Sequence, residues 1–227
     1  MSTQPDLVDA DQVRDHWWWR PGWHVGQRAY TWHLTFSGQH ELHRLADQYR
    51  TVLAALPEVD PVPTNWLHLT MQGVGFADEV STSDLGRIVE AVRARLASLP
   101  TVALTFSRVI VFPEAVILAP HPAAPVHAIR SAIRGGITDV WGESRVPEAE
   151  HGFRAHVSVG YINRPGAAAP IINALDRTTA KPATVTVQAA SLIELHRDHG
   201  IYQWQTVQDV PLGRPEATST GRDSHLD

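Results

Sequence analysis

Two short segments of the chain, HLT at 68–70 and HVS at 156–158, each place a histidine two residues before a hydroxyl side chain. Side chains at positions i and i+2 of a strand point the same way, so each segment presents an imidazole beside a hydroxyl. Histidine has an unperturbed pKa of about 6.5 and can give or take a proton near neutral pH. A hydroxyl beside it can donate or accept a hydrogen bond. The two segments therefore predict acid–base chemistry with a positioned hydrogen-bonding group.

A third segment of the same type, HLT at 33–35, shows that the tripeptide alone is a weak signal. A weak internal repeat separates the three. Each unit of this repeat is a predicted strand, helix and strand, at 30–36, 40–56 and 66–72 and again at 115–119, 124–134 and 155–161. His68 and His156 occupy equivalent strands, whereas the strand equivalent to that of His33 has no histidine. Symmetry therefore selects His68 and His156, and we expect a structural role for His33, with a place in the wall of a site as the alternative.

The composition limits the chemistry further. The 227 residues are 43% apolar, which is enough for one substantial core. The chain has no cysteine, which excludes a disulfide framework, a thiolate metal site and a thiol nucleophile, so its 13 histidines are left to carry proton transfer. A formal net charge of −5 argues against a protein that coats long nucleic acid. A small phosphorylated ligand or one end of an RNA is compatible with this charge.

The pattern predicts one bilobal domain over 30–212, with a tryptophan-rich N-terminal extension at 1–29 and a disordered tail at 213–227. The first residues lack the basic and then apolar profile of a signal peptide, and no apolar run approaches the roughly 18 residues of a membrane span. We therefore expect a cytoplasmic protein that does not enter a membrane. We also expect a monomer, because the internal repeat already supplies two halves of a site.

Other local signals complete the predicted domain. We expect Ser83-Asp84 to cap a helix that Pro100 ends, and Gly135-Gly136 to end the second helix of the repeat. The remaining predicted elements are strands at 101–112, 115–120, 183–195 and 201–212 and a short helix at 170–178.

The segments around the two motifs, WLHLTMQGVG at 66–75 and FRAHVSVGYIN at 153–163, resemble the paired motifs of the 2H phosphoesterase superfamily. The likeness extends over 30–212 and includes the closing pattern SLIELHRDHGIYQWQTVQDVPL, which is similar to the last two strands of the 2'-5' RNA ligase branch. Ser158 stands where threonine is common in the family, but it offers the same hydroxyl. The resemblance implies an α+β fold of two pseudo-symmetric lobes, whose antiparallel sheets flank a central cleft.

The same resemblance implies a metal-independent phosphodiesterase that uses no cofactor. Members of the family open 2',3'-cyclic phosphates of RNA ends or nucleotides, and some have the reverse, 2'-5' RNA ligase activity. The implied catalytic pair is His68 and His156, one as base and the other as acid, while Thr70 and Ser158 would bind the phosphate oxygens. The implied partner is an RNA 3' end or a small cyclic nucleotide.

Other residues near the motifs could contact a substrate. Arg154 and Arg164 flank the second motif, and a guanidinium suits phosphate geometry. Tyr161 is a further candidate, although its odd offset from His156 would turn it toward the core on a regular strand. The run HWWWRPGWH at 16–24 is unusual, and we expect its tryptophans to cover the core of one lobe rather than to stack on a base.

Two alternative functions stay open. A non-catalytic module on the same fold would bind nucleotides or RNA ends without turnover. A metallohydrolase would need a cluster of ligands, but HELHR at 40–44 is not the His-Glu-x-x-His zinc helix, and His196 and His199 with Asp198 form no identifiable ligand set. The phosphodiesterase is therefore the favoured interpretation.

Overall fold

The computed structural model describes residues 7–213 of the chain. The strands are β1 Gln12–Val13, β2 Ala29–Thr35, β3 Val59–Pro61, β4 His68–Phe76, β5 Val102–Val111, β6 Ala115–His121, β7 Val157–Ile162, β8 Gly166–Ala167, β9 Ala183–Val187, β10 Ala189–His196 and β11 Gln203–Pro211. The helices of more than one turn are α1 His40–Leu53, α2 Thr82–Leu96, α3 Ala124–Trp141 and α4 Ala169–Leu175. None of these helices combines the length and apolar character that crossing a membrane would require.

Two antiparallel sheets form the frame of the molecule. One has the strand order β11-β10-β2-β4, and the other has the order β3-β7-β6-β5-β9. The short pair β1-β8 ties the N-terminal segment to the chain after β7. Each larger sheet carries one of the two repeat-related motifs, at 68–70 on β4 and at 156–158 at the start of β7, and the predicted α+β class with two antiparallel lobes is confirmed.

The helices of the two repeat units are exchanged between the lobes. Helix α1 follows β2 and precedes β3 and β4 in the chain, and it packs against β7 and β9 of the five-stranded sheet although β2 and β4 belong to the four-stranded one. Helix α3 connects β6 to β7 of the five-stranded sheet, yet it packs against β4 and against α2. The apolar side of α1 is fully used in this packing, since Leu42, Leu45, Tyr49 and Leu53 are all buried. The exchange fastens the two sheets to each other and so fixes the position of one motif relative to the other.

Equivalent β-bulges interrupt both motif strands. In the β2–β4 pair the register passes from Gln72 to Thr70 and leaves Met71 unpaired, and in the β6–β7 pair it passes from Gly160 to Ser158 and leaves Val159 unpaired. Each extra residue comes directly after the hydroxyl residue of its motif. A bulge inserts one residue and reverses the alternation of faces beyond it.

The predicted end of the second repeat helix at Gly135-Gly136 is wrong, because α3 continues to Trp141. A Cβ at Gly136 would lie 2.6 Å from Val92 Cγ2 and 2.8 Å from the Val92 backbone nitrogen. The glycines therefore permit close approach of α3 to α2 instead of ending the helix. The helix ends at Gly142, which has a φ of 80°.

Two other boundaries differ from the prediction. Helix α2 begins after Ser81, whose hydroxyl accepts a hydrogen bond from the backbone N–H of Asp84 at 3.1 Å, so the cap lies two residues before the predicted one. The strand predicted at 183–195 is two strands in different sheets, β9 and β10, which meet at Gln188. Of the tail predicted at 213–227, all but Gly213 lies outside the described residues.

Candidate active site

A cavity of ≈ 490 Å³ lies between the two sheets and is lined by both motifs. His68 and Thr70 reach it from β4, while His156, directly before β7, and Ser158 reach it from the opposite lobe. Its volume falls in the range of small-molecule sites. The described structure therefore brings the two predicted histidines and the two predicted hydroxyls into one cavity.

The backbone holds both imidazoles in the same way. Nδ1 of His68 lies 2.8 Å from the carbonyl oxygen of Trp66, and Nδ1 of His156 lies 2.7 Å from the carbonyl oxygen of Arg154. A carbonyl oxygen can only accept, so Nδ1 of each ring carries the proton and donates it. In the neutral rings Nε2 therefore keeps its lone pair. Each acceptor lies two residues before its histidine, which makes this arrangement part of the repeat.

The two imidazoles differ in their surroundings. His68 is buried, and its ring meets Trp204 edge to face with centroids 5.2 Å apart. Burial lowers the pKa of His68 to about 4, and the His156 charge acts in the same direction. His156 is only partly buried. Desolvation also lowers the pKa of His156, with a further contribution from the Arg154 guanidinium, so both imidazoles of the free protein are neutral at pH 7.

The two hydroxyls have different neighbours as well. Oγ1 of Thr70 lies 3.3 Å from Nε2 of His33, and the threonine side chain is exposed to the cavity. Ser158 is buried in the opposite wall, where it lies beside the Tyr161 phenol. Both hydroxyls line the cavity that holds the two imidazoles.

His33 forms part of the cavity wall, which is the alternative that the sequence left open. Its ring is fully buried and stacks on His68, with centroids 4.4 Å apart and an interplanar angle of 5°. Burial holds the pKa of His33 well below its usual value, and a charge on His68 would lower it further. His33 is therefore a neutral imidazole directly behind His68.

The bulge at Val159 corrects the expected direction of Tyr161. An odd offset would turn this side chain to the core of a regular strand, but the extra residue reverses the alternation and Tyr161 lines the cavity. Burial raises its pKa above the usual value, so the phenol keeps its proton. The matching bulge at Met71 turns Gln72 away from the cavity. Oε1 of Gln72 accepts a hydrogen bond from Nη1 of Arg134 at 2.7 Å outside the cavity.

The two candidate arginines are separated by the fold. Arg154 lines the cavity, with its guanidinium carbon 4.7 Å from the centroid of the Phe112 ring. Arg164 does not line the cavity and instead lies 3.6 Å from Glu58 in an ion pair. The structure therefore keeps Arg154 as a candidate substrate contact and places Arg164 elsewhere.

The N-terminal segment supplies cavity residues that the sequence did not reveal. Arg14, His16, Arg20 and Trp23 all line the cavity. Glu114, from the turn between β5 and β6, joins two of them: its Oε1 accepts from Arg14 Nε at 2.8 Å and its Oε2 from Arg20 Nη2 at 2.8 Å. These residues belong to no short motif, so no local sequence pattern identifies the arginines and the histidine as part of a site.

His16 and Tyr202 complete this wall. Nε2 of His16 lies 3.0 Å from the Tyr202 hydroxyl, which also accepts a hydrogen bond from Arg20 Nη1 at 3.2 Å. The His16 ring stacks on Tyr161 with centroids 4.3 Å apart. Burial lowers the pKa of His16 to about 3, and the nearby guanidiniums of Arg20 and Arg197 act in the same direction. His16 is therefore a neutral, packed side chain at the cavity.

The tryptophans of this segment have different environments. Trp17 is partly buried and donates from Nε1 to Asp60 Oδ2 at 2.9 Å. Trp18 and Trp19 are 48% and 51% exposed. Trp23 lines the cavity and meets the Phe76 ring edge to face at 5.4 Å. Trp17 therefore has the packing role that was expected for these tryptophans, whereas Trp23 lies where a ligand in the cavity could contact it.

Within residues 7–213, no group of three or more His, Cys, Asp or Glu side chains is arranged to hold a metal ion. The histidines of the metallohydrolase alternative are engaged locally. Nε2 of His43 lies 2.7 Å from the carbonyl oxygen of Phe36, and Nδ1 of His196 lies 3.5 Å from Asp198 Oδ2. Neither histidine lines the cavity.

Comparisons with known proteins agree with this fold. The sequence model of the 2'-5' RNA ligase superfamily matches residues 36–199. Among solved structures, TT0787 of Thermus thermophilus has a TM-score of 0.61 at 17% identity, covering 83% of this chain and 100% of that one. E. coli LigT in its apo form has a TM-score of 0.58 at 13% identity, covering 83% and 99%. LigT complexed with 3'-AMP has a TM-score of 0.56 at 14% identity, with the same coverage. No curated protein matches the sequence significantly.

Fold and family together define the class of 2H phosphoesterases. Within this class, the chain belongs to the 2'-5' RNA ligase superfamily, because the family model covers well over half of its length. The resemblance drawn from the two motifs is confirmed.

Proposed function

We propose that this protein opens 2',3'-cyclic phosphates of RNA ends or nucleotides by metal-independent, two-histidine acid–base catalysis. The cavity shared by His68 and His156 is the observation that supports this most strongly. Each ring is held through Nδ1 by the backbone, which leaves Nε2 as the nitrogen that can take or give a proton, and each ring accompanies a hydroxyl at the same cavity. Two imidazoles of this kind supply the base and the acid that phosphodiester hydrolysis needs.

In the proposed reaction, a water molecule attacks phosphorus while the base imidazole takes its proton at Nε2. The bond from phosphorus to one ribose oxygen breaks, and the acid imidazole gives its Nε2 proton to that leaving oxygen. Thr70 and Ser158 donate hydrogen bonds to the non-bridging oxygens, where negative charge develops. The same groups would serve 2'-5' ligation, in which a 5'-hydroxyl takes the place of water: the base imidazole takes its proton, its oxygen bonds to phosphorus, and the 3' oxygen leaves with the proton of the acid imidazole.

The unequal burial of the imidazoles supports a division of their roles. His68 is buried and stacked on His33, and its pKa is lowered to about 4, so it is neutral at neutral pH and suited to act as base. His156 is only partly buried, which makes its imidazolium less unfavourable. A bound phosphate would raise the pKa of either ring by its negative charge. We therefore assign His68 as the base and His156 as the acid.

The substrate class follows from the cavity and its charge. E. coli LigT, which shares the fold, has been crystallised with 3'-AMP, with ATP and with phosphate. In this chain Arg154 and Arg20 could contact phosphate oxygens, while the overall charge of −5 disfavours a long RNA track. We therefore expect short substrates, either a small cyclic nucleotide or the 3' end of an RNA.

The test is turnover of 2',3'-cyclic nucleotides and of RNA with a cyclic end, in the presence of a strong chelator. His68→Ala and His156→Ala should each lower kcat by roughly 10² to 10⁴, the scale of general acid–base catalysis. His40→Ala is the matched control, because His40 is exposed on α1 and does not line the cavity. It should leave activity unchanged.

Three results would contradict the proposal. Most of the activity retained by either folded His68 or His156 variant would refute their assignment. Loss of activity with the chelator would favour a metal-dependent mechanism. Saturable nucleotide binding without product would favour the non-catalytic module on the same fold.

A further inference from the structure

His33 is a buried polar side chain that the acid–base mechanism does not use. The ring is fully buried, and among the described residues its Nδ1 has no hydrogen-bond partner. Its Nε2 lies 3.3 Å from Oγ1 of Thr70, and its face covers the His68 ring. A buried nitrogen without a partner destabilises the folded state, so the position calls for an explanation.

The repeat provides an internal comparison for this position. On β2, His33 lies directly opposite Thr70, next to the bulge. On β6, Ile117 lies directly opposite Ser158, next to the equivalent bulge, and it is fully buried. The same place in the fold is therefore filled by an aliphatic side chain in the other lobe. Packing alone does not require an imidazole there.

The hydrogen-bond partners available to the two ring nitrogens of His33 indicate which group is the donor in the His33–Thr70 hydrogen bond. If the His33 proton were on Nδ1, a buried N–H would have no acceptor among the described residues, and the Thr70 hydroxyl would have to donate to Nε2. If the proton is on Nε2, the ring donates to Oγ1 and only a lone pair at Nδ1 is left unpaired. Unpaired buried N–H groups are rarer in proteins than under-satisfied acceptors. The second arrangement leaves the Thr70 hydroxyl proton free to point into the cavity.

We propose that His33 is a positioning residue, which donates from Nε2 to Oγ1 of Thr70 and thereby directs the Thr70 hydroxyl proton toward a phosphate oxygen in the cavity. This inference rests on the proposed function, in which Thr70 binds the phosphate. In the opposite lobe the Tyr161 phenol lies beside Ser158, while Ile117 contributes no polar group. The two phosphate-binding hydroxyls are therefore oriented by different means.

The central experiment is a double-mutant cycle between His33 and Thr70. His33→Ile copies the residue of the other lobe, and Thr70→Val removes the hydroxyl but keeps the β-branched shape. If His33 acts through the hydroxyl, His33→Ile alone should lower kcat roughly tenfold, and less than about twofold in the Thr70→Val background. His33→Gln, whose amide can donate, should recover part of the loss. It also serves if His33→Ile does not fold.

Inorganic phosphate serves as a second probe that does not depend on turnover. Its affinity should fall by a similar factor in His33→Ile, in Thr70→Val and in the double variant. Nitrogen-15 spectra of labelled histidines should show His33 protonated at Nε2, in contrast to His68 and His156, which are protonated at Nδ1. The melting temperature of His33→Ile should equal or exceed that of the wild type, because the unpaired nitrogen is removed.

The outcomes separate the two claims. Wild-type kcat and phosphate affinity in His33→Ile would overturn the positioning role and leave the phosphodiesterase intact. Equal losses in the wild-type and Thr70→Val backgrounds, or a fall in melting temperature that accounts for the lost activity, would show that His33 is structural and would also overturn it. If the wild type turns over no cyclic phosphate, the proposed function fails, and phosphate binding and the tautomer of His33 then decide the inference.

Discussion

The pH dependence of kcat/KM is the sharpest consequence of the burial of the two imidazoles. This parameter reports the ionisation of the free enzyme, in which the acid must be protonated and the base must be neutral. Burial places the pKa of His68 near 4 and lowers that of His156 below its usual 6.5. Above both pKa values, the fraction of enzyme molecules in which the acid imidazole is protonated falls tenfold with each pH unit. We therefore expect kcat/KM to fall roughly 50- to 100-fold between pH 6.5 and 8.5, whichever ring is the acid.

The assay is a pH–rate profile with a 2',3'-cyclic nucleotide, measured under conditions that give kcat/KM and kcat separately. The optimum of kcat/KM should lie below pH 6.5. The optimum of kcat should lie higher, because the negative charge of the bound phosphate raises the pKa of the acid imidazole. A kcat/KM plateau that extends to pH 8 would refute the reasoning, since it would require an imidazolium pKa above the usual value.

The single variants test which histidine has which role. His68→Ala should remove the ascending limb of the kcat/KM profile, because the base no longer titrates. His156→Ala should remove the descending limb. The exchange of these two results would reverse the assignment of acid and base without affecting the proposed reaction.

Stability limits the acidic end of this experiment. The pKa values of His16, His33 and His68 are lowered in the folded state, so the unfolded chain binds more protons below about pH 6.5. These histidines do not reduce the free energy of unfolding above that pH, where they are neutral in both the folded and the unfolded chain. The free energy of unfolding decreases as the pH falls from there toward their pKa values in the folded state. Each histidine contributes up to about 1.4 kcal/mol per pH unit in this window. Circular dichroism at each pH is therefore the necessary control.

Two further predictions concern packing and the N-terminal wall. Gly136→Ala would place a Cβ 2.6 Å from Val92 and should lower the free energy of unfolding by about 1 to 3 kcal/mol in chemical denaturation. The control is Gly86→Ala, on an open face of α2, which should be neutral or stabilising. Equal effects of the two substitutions would contradict the close approach of α3 to α2. Trp17→Ala should lower the melting temperature with little change in KM. Trp23→Ala should raise KM while the protein stays stable. An unchanged KM of the Trp23→Ala variant would argue against a contact between Trp23 and the ligand.

Periodicity predicted the elements that carry the motifs, because their apolar alternation is regular. It could not predict the bulges, because the unpaired residues Met71 and Val159 are apolar like the paired residues of their strands and fit the same alternating pattern. The direction of Tyr161 depends on the bulge at Val159, and the direction expected from a regular strand was therefore wrong. The predicted helix end at 135–136 is wrong for a related reason, because a helix end and a close contact between helices both favour glycine and only the position of α2 distinguishes them.

The N-terminal contribution to the cavity was outside the reach of local patterns. Arg20 and Glu114 are distant in sequence and meet because the segment before β2 runs along both lobes. Its backbone bonds to Val111 through Ala10 on one side, and the N–H of Gly26 donates to Asp198 on the other. Such contacts follow from the tertiary arrangement alone.

The pseudo-symmetric frame and its asymmetric surroundings have separate consequences for catalysis. The repeat supplies two imidazoles that are held through Nδ1 by equivalent backbone carbonyls, and both imidazoles line the same cavity. A strictly symmetric site would give both rings the same pKa, and acid and base roles would then be interchangeable. Here one ring is backed by His33 and the other adjoins Arg154 and Phe112. Because surroundings rather than tethers set the pKa difference, substitutions at His33 should alter the pH profile of the His68 limb and leave the His156 limb in place.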